Sequence, residues 1–203
     1  LDDQEGAKVQ MRANIDAWWP DVARGVEAIV MNASGCGTTV KDYGHILQHD
    51  ARYAERARRV SALTRDLSEL LPAVVDSLQS KSKSPSGPLK ARLPRLVFHP
   101  PCSLQHGQKL RGVVEQQLGV LGFDIRVADN EPHLCCGSAG TYSVLQPELA
   151  YQLRDRKLAQ LTQPAPLEPQ AIISANIGCI QHLQSGTPMQ VKHWVEVVDE
   201  ALA

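Results

Sequence analysis

The sequence predicts an α/β protein whose parallel sheets carry helices on both faces, built as one and a half copies of a cysteine-bearing unit. Three observations carry that expectation. Short runs rich in Ile and Val, at residues 26–31, 96–99 and 171–174, alternate with longer stretches of helical periodicity, the pattern that builds covered parallel sheets. Two of these runs repeat: setting residue n beside residue n+143 pairs 28–36 with 171–179, and four of the nine positions are identical, the closing Gly-Cys included. Each copy delivers its cysteine to the carboxyl end of a strand, where open α/β sheets place their ligands.

The elements follow in order. Apolar residues at Val9, Met11, Ile15, Trp18 and Trp19 predict a first helix that ends near Pro20 and Gly25, since proline and glycine close helices. The run 26–31 reads as a buried strand feeding a tight glycine turn at Gly35-Cys36-Gly37. Residues 50–79 read as helix, with Val60, Leu63, Leu67, Leu70 and Leu71 on one face and Pro72 as a kink or restart. The segment from Lys81 to Pro88 mixes Ser, Pro, Gly and like charges, which cannot bury enough apolar surface to order itself. It predicts a linker over 80–94 between a first part, 1–79, and a complete second unit, 95–203. In that unit 96–99 is a strand, 108–118 a helix and 123–127 a second strand. A helix over 147–161, a proline-rich connection at 164–169, a third strand at 171–174 and a last helix from about Lys192 complete it.

The composition narrows the function. Hydrophobic residues make up 43% of the 203 and charged ones 21%, with a net charge of −1. That balance excludes a disordered tail and gives no field that would gather nucleic acid. Apolar runs are far shorter than the roughly 20 residues of a membrane-spanning helix. No dinucleotide fingerprint, phosphate loop or Ser-His-Asp pattern is present. Five cysteines, an odd number that includes the adjacent pair Cys135-Cys136, point to metal chemistry in a reducing, cytoplasmic setting.

Four of the five are expected to converge. Cys102 follows the first strand of the second unit, Cys135 and Cys136 the next, and Cys179 the third. Thiolates are soft ligands that choose zinc, copper(I) or iron–sulfur clusters. Adjacent side chains on a strand face opposite ways, so both cysteines reach one centre only if the backbone turns, which Gly137 and Gly140 allow. Backbone N–H groups then approach sulfur. Such a pair is awkward for a single tetrahedral zinc and easier for a multi-iron cluster. A histidine beside such a centre can ligate iron, tune its potential or pass a proton; against that alternative His99, His106 and His133 are expected as hydrogen-bonded or surface residues, and His45 and His49, with zinc as their alternative, as a solvated helical face. Trp18, Trp19 and Trp194 are expected as core or subunit-contact anchors.

Leu134-Cys135-Cys136-Gly137, His99-Pro100-Pro101-Cys102 and Asn176-Ile177-Gly178-Cys179 resemble the cysteine-rich CCG domain of heterodisulfide reductases, of succinate:quinone reductase variants and of lactate-utilisation complexes. With Ala13 to Pro20 and Lys41-Asp42-Tyr43-Gly44-His45, the whole chain resembles the carboxyl-terminal half of iron–sulfur subunits of glycolate oxidases. The resemblance implies Rossmann-like units and a [4Fe–4S] cluster on Cys102, Cys135, Cys136 and Cys179. It implies electron transfer from a flavin on partner flavoprotein subunits toward a quinone or other membrane acceptor, with lactate or glycerol-3-phosphate complexes as the neighbouring alternative. The protein would lie in the cytoplasm, reaching the inner face of the membrane through its partners. His182 stands where the family has a further cysteine and is a possible extra ligand. Cys36 matches the last cysteine of a first copy whose other ligands would precede Leu1, so the chain is expected to be a carboxyl-terminal piece. A structural zinc or subunit-docking module on the same thiolates is the alternative of another class.

Overall fold

The computed structural model describes residues 3–81, 93–163 and 168–202. The expected linker at 80–94 and the proline-rich connection lie largely outside them. The chain divides into two compact units, Leu1–Leu67 and Ser68–Ala203.

The first unit runs α1 (Gln4–Ala23), β1 (Ile29–Met31), α2 (Ser34–Lys41), α3 (Tyr43–Ile46), α4 (Ala54–Leu63) and β2 (Thr64–Asp66). The side chain of Asp3 caps α1, accepting from the Gly6 N–H at 2.8 Å and filling one of the four open donors of a helix start. Pro20 does not end α1. It removes one backbone donor, yet the last turn continues to Ala23 because Val22 is buried in the same core as Met11, Ile15, Val40, Tyr43 and Val60. The expected glycine turn at 35–37 is instead the first turn of α2. The helical stretch expected over 50–79 is interrupted by β2, which pairs parallel with β1, Ile29 opposite Thr64 and Met31 opposite Asp66. Thr64 makes the break: its hydroxyl donates back to the Val60 carbonyl at 2.8 Å, and its backbone is already extended.

The second unit runs α5 (Leu67–Lys81, entered across the boundary), β3 (Arg95–His99), a π-helical turn (Ser103–Gly107), α6 (Val113–Val120), β4 (Asp124–Val127), α7 (Tyr142–Leu145), α8 (Pro147–Leu161), β5 (Ala171–Ser174), α9 (Ile177–Gln184), β6 (Val191–His193) and α10 (Trp194–Leu202). The helix expected from 108 starts only at Val113, because Lys109 and Gly112 have positive φ and cannot lie in an α-helix. The last helix, expected from about Lys192, starts at Trp194. Val191 to His193 form a strand instead, after which the Glu196 carboxylate accepts from the His193 N–H at 2.8 Å and α10 begins.

All four strands are parallel, in the order β4-β3-β5-β6. Val97, Phe98, Ile172 and Ile173 are wholly buried, each contributing roughly 1.5–3 kcal/mol. Val97 and Ile172 pack with Leu158 and Leu161 of α8 and with Ile180 and Leu183 of α9. Leu96, Phe98 and Ile173 alternate with them and are equally buried, so both faces are covered. From β3 the chain goes out to β4 on one side and returns to β5 on the other. The carboxyl ends of β3 and β5 therefore flank a topological switch point, the standard ligand position of such sheets.

Candidate metal centre

Three loops meet at that switch point. His99 ends β3, and Cys102 follows after two prolines at the start of the π-helical turn. Cys135 and Cys136 lie in the connection after β4, and Cys179 in the first turn of α9. Cys136 and Cys179 are buried; Cys102 and Cys135 are half-buried. The Ser174 hydroxyl donates to the His99 carbonyl at 2.9 Å and locks the two strand ends in register.

The cysteine pair turns as its glycines suggested: Gly137 has φ +92° and Gly140 φ +61°. Gly137 is required for space as well. A Cβ there would stand 2.3 Å from the Ala150 carbonyl oxygen of α8. A Cβ on Gly178 would stand 2.8 Å from the Ser138 hydroxyl, so the start of α9 closes on the same loop. Side chains pin the loop from both sides. Lys157 of α8 donates to the Glu131 carbonyl at 2.9 Å, and Arg156 pairs with the Glu131 carboxylate. The Gln105 amide donates to Pro100 O at 3.0 Å and Pro132 O at 3.3 Å, tying the loop after β3 to the loop after β4.

The four thiols form a chain of sulfur neighbours in which charge alternates. Cys135 is held low because Cys102 and Cys136 donate to it, helped by the Gly137 N–H at 3.3 Å. Cys179 is held low because Cys136 donates to it, with the His99 ring and the Asn176 amide, 3.6 Å away, adding to the effect. Cys102, which donates to Cys135, is pushed up, and so is Cys136, which donates to both Cys135 and Cys179; burial adds to each shift. Cys136 thus shares its proton with a sulfur on either side and Cys102 shares its own with Cys135, a donor set that a metal ion captures by displacing the shared protons. Burial pushes the Lys157 ammonium down, and its attraction to the cysteine sulfurs and to Glu131 opposes that shift.

The other residues named from sequence fall elsewhere. His182 donates from Nε2 to the Ala150 carbonyl at 3.1 Å and stacks on Tyr151, ring centres 6.0 Å apart. Cys36 lies in the other unit and is exposed. His106 pairs with Arg111 at 2.9 Å, His45 contacts Gln48, and His133 is exposed. His99 departs from the expectation of a hydrogen-bonded or surface residue. It is fully buried, and neither ring nitrogen makes a well-aligned hydrogen bond among the described residues, although the ring lies beside the Cys179 sulfur. Its ligand nitrogen and the sulfurs of Cys136 and Cys179 all lie within 4.8 Å of one another. The signal for it was the strand alternation, which puts His99 on the face of Val97, toward Cys136 and Cys179. Lys157 had no signal, being one more lysine on a polar helix.

The family profile described as the CCG cysteine-rich domain matches residues 96–184, the stretch that supplies the whole constellation. The lactate utilization protein A of Anoxybacillus flavithermus is 31% identical over 183 residues, covering 85% of this chain and 70% of that protein. The chain belongs to the CCG cysteine-rich domain family. The glycolate oxidase iron-sulfur subunit of Escherichia coli K12 is 47% identical over the full chain, which spans 46% of that protein's length. A probable glycolate oxidase iron-sulfur subunit of Bacillus subtilis is 28% identical over 79% of the chain and 34% of its own length. Within the CCG family, then, likeness to the Escherichia coli subunit extends to the first unit, beyond the profile. No helix among the described residues is long and apolar enough to cross a membrane.

Proposed function

We propose that this chain is the CCG-bearing part of an iron–sulfur electron-transfer subunit in a glycolate-oxidising complex. In this reading a [4Fe–4S] cluster is held by Cys102, Cys135, Cys136 and Cys179. The observation that carries it is the meeting of four soft sulfur donors from three loops at the switch point of the sheet, in a chain like the Escherichia coli subunit named above. The residues fit such a group: the donors are sulfurs with exchangeable protons, and the buried imidazole beside them has no well-aligned hydrogen bond among the described residues. A bound cluster supplies one-electron transfer.

The chain's own contribution is position, burial and charge. The Gly137 N–H and the Asn176 amide donate to the sulfurs of Cys135 and Cys179, weakening them as electron donors to a metal and favouring the reduced state. A proton held on the fully buried Lys157 would act in the same direction by offsetting negative charge. Among the described residues no side-chain constellation is built for hydroxy-acid chemistry, so flavoprotein partner subunits would oxidise the acid, and a quinone or other membrane acceptor would take the electrons. The test is anaerobic iron and sulfide analysis with EPR. About four irons per chain and a reducible signal are expected; a fully active complex whose subunit is free of iron would overturn the reading.

One observation favours a second reading. Donor atoms of His99, Cys136 and Cys179 within 4.8 Å of one another have the spacing of ligands around one ion, which suits a structural zinc. Elemental analysis decides: one zinc and no iron after anaerobic preparation supports it.

A further inference from the structure

We infer that His99 is a nitrogen ligand to the metal held at Cys136 and Cys179. The inference rests on the reading that the thiols bind metal and adds to it a donor from β3. An imidazole with no exposed surface and no well-aligned hydrogen bond at either ring nitrogen, set beside the Cys179 sulfur, is poorly satisfied, and a buried polar group in that state destabilises the fold. Natural cores rarely keep such a group unless something absent from the polypeptide satisfies it. The position says what that is. The ring is fixed at the end of a central strand, its carbonyl bound by Ser174, and its ligand nitrogen lies within 4.8 Å of two buried sulfurs. The other two members of that group are both sulfur donors, so the ring is set beside soft ligands.

Coordination satisfies one ring nitrogen through its lone pair and leaves the other as an N–H donor. It also changes the chemistry of the centre. A neutral imidazole brings no negative charge where a thiolate would bring one, and in iron–sulfur centres replacement of thiolate by histidine raises the reduction potential. The mixed set matches iron and zinc alike, since imidazole and thiolate suit both. His182, at the position where the family has a further cysteine, is engaged with Ala150 and Tyr151 and serves as the internal control.

The experiment uses the 203-residue chain labelled with 15N-histidine and loaded anaerobically, one sample with iron and sulfide and another with zinc alone. Pulsed EPR of the reduced iron sample should show a directly coupled histidine nitrogen, or zinc-edge X-ray absorption should show imidazole scattering, according to which metal is retained. His99→Ala should abolish that signature and weaken zinc binding at least about tenfold, the lower end of what losing even a ligand's hydrogen-bonding partner costs. His182→Ala should leave both unchanged. His99→Cys should restore metal content and lower the reduction potential of the iron form. Full metal content with no histidine signature in the wild-type chain overturns the inference and leaves the metal reading standing; it would mean that His99 only donates to the Cys179 sulfur. A wild-type chain that retains neither metal overturns both.

Discussion

Cys36 and Cys179 occupy matching places in two versions of one device. Each lies three residues into an eight-residue helix that follows a short parallel strand, and the two helices stand 143 residues apart at both ends. The strand before each pairs with the next strand in the same register, Ile29 with Thr64 and Ile172 with Val191. In both cases a helix begins directly after that second strand, α5 after β2 and α10 after β6. Yet Cys179 is buried among sulfurs and Cys36 is exposed. A cysteine at a helix start therefore does not gather other sulfurs by itself. What distinguishes Cys179 is the convergence of two further loops, which need β3 and β4 beside β5, and the described part of the first unit has no counterpart of either strand.

The sharpest way to break this comparison is to remove the two sulfurs in turn. Cys179→Ser should lower metal affinity by more than the roughly 10-fold to 100-fold lost with a ligand's hydrogen-bonding partner, whereas Cys36→Ser should leave metal content unchanged. Metal analysis after anaerobic loading reads both. In the loaded protein an alkylating reagent should add one group, at Cys36, by mass spectrometry. Equal loss of metal in the two variants, or alkylation of Cys179 in the loaded chain, would mean that the matched helices do matched work.

A second pair tests space at equal backbone strain. Gly25 in the first unit has φ +90° and a Cβ placed there would meet nothing within 4 Å, whereas Gly137 has φ +92° and its Cβ would stand 2.3 Å from the Ala150 carbonyl oxygen. Gly25→Ala should cost about 1–2 kcal/mol, the conformational term alone. Gly137→Ala adds a backbone clash and should cost about 3 kcal/mol or more. Urea unfolding measures the difference. Equal losses would show that the loop carrying the cysteine pair yields, and that α8 does not press on it as described.

How much of this could be read from sequence follows the same division. The repeat was legible because Gly-Cys after a branched apolar run is a rare combination, and it aligns the two matching helices to the residue even though the first reads as a turn. The four sulfurs were legible because cysteine has few roles. β2 and β6 were not, because Thr-Arg-Asp and Val-Lys-His are three residues each and their strand conformation comes from a parallel neighbour distant in sequence. His99 escapes for a similar reason. Its type suggests polarity and exposure, and only the assembled sheet, with Ser174 locking the strand end, shows a ring sealed away from water.

The smallest effect concerns how the first unit holds itself together without a sulfur centre. There α1 and the segment before α4 are joined through Asp50, which accepts from the backbone N–H groups of Arg52 and Tyr53 at 3.0 and 2.9 Å and from the Arg12 guanidinium at 2.8 Å. Those two backbone bonds, then the guanidinium, hold its carboxyl below the usual range. A carboxyl depressed in the folded state stabilises it fully above the unfolded value, near pH 4, and that contribution disappears as pH falls through the folded value. Amide exchange in residues 3–66 should therefore lose protection on acidification below about pH 4. Asp50→Asn should remove part of that pH dependence and lower protection already at neutral pH. The comparison with the second unit is made on the metal-free chain, because acid returns protons to thiol and imidazole ligands and would release a bound metal. An acid response of equal size in both units, unaltered by Asp50→Asn, would place the pH-sensitive contact elsewhere and remove Asp50 as the joint between α1 and α4.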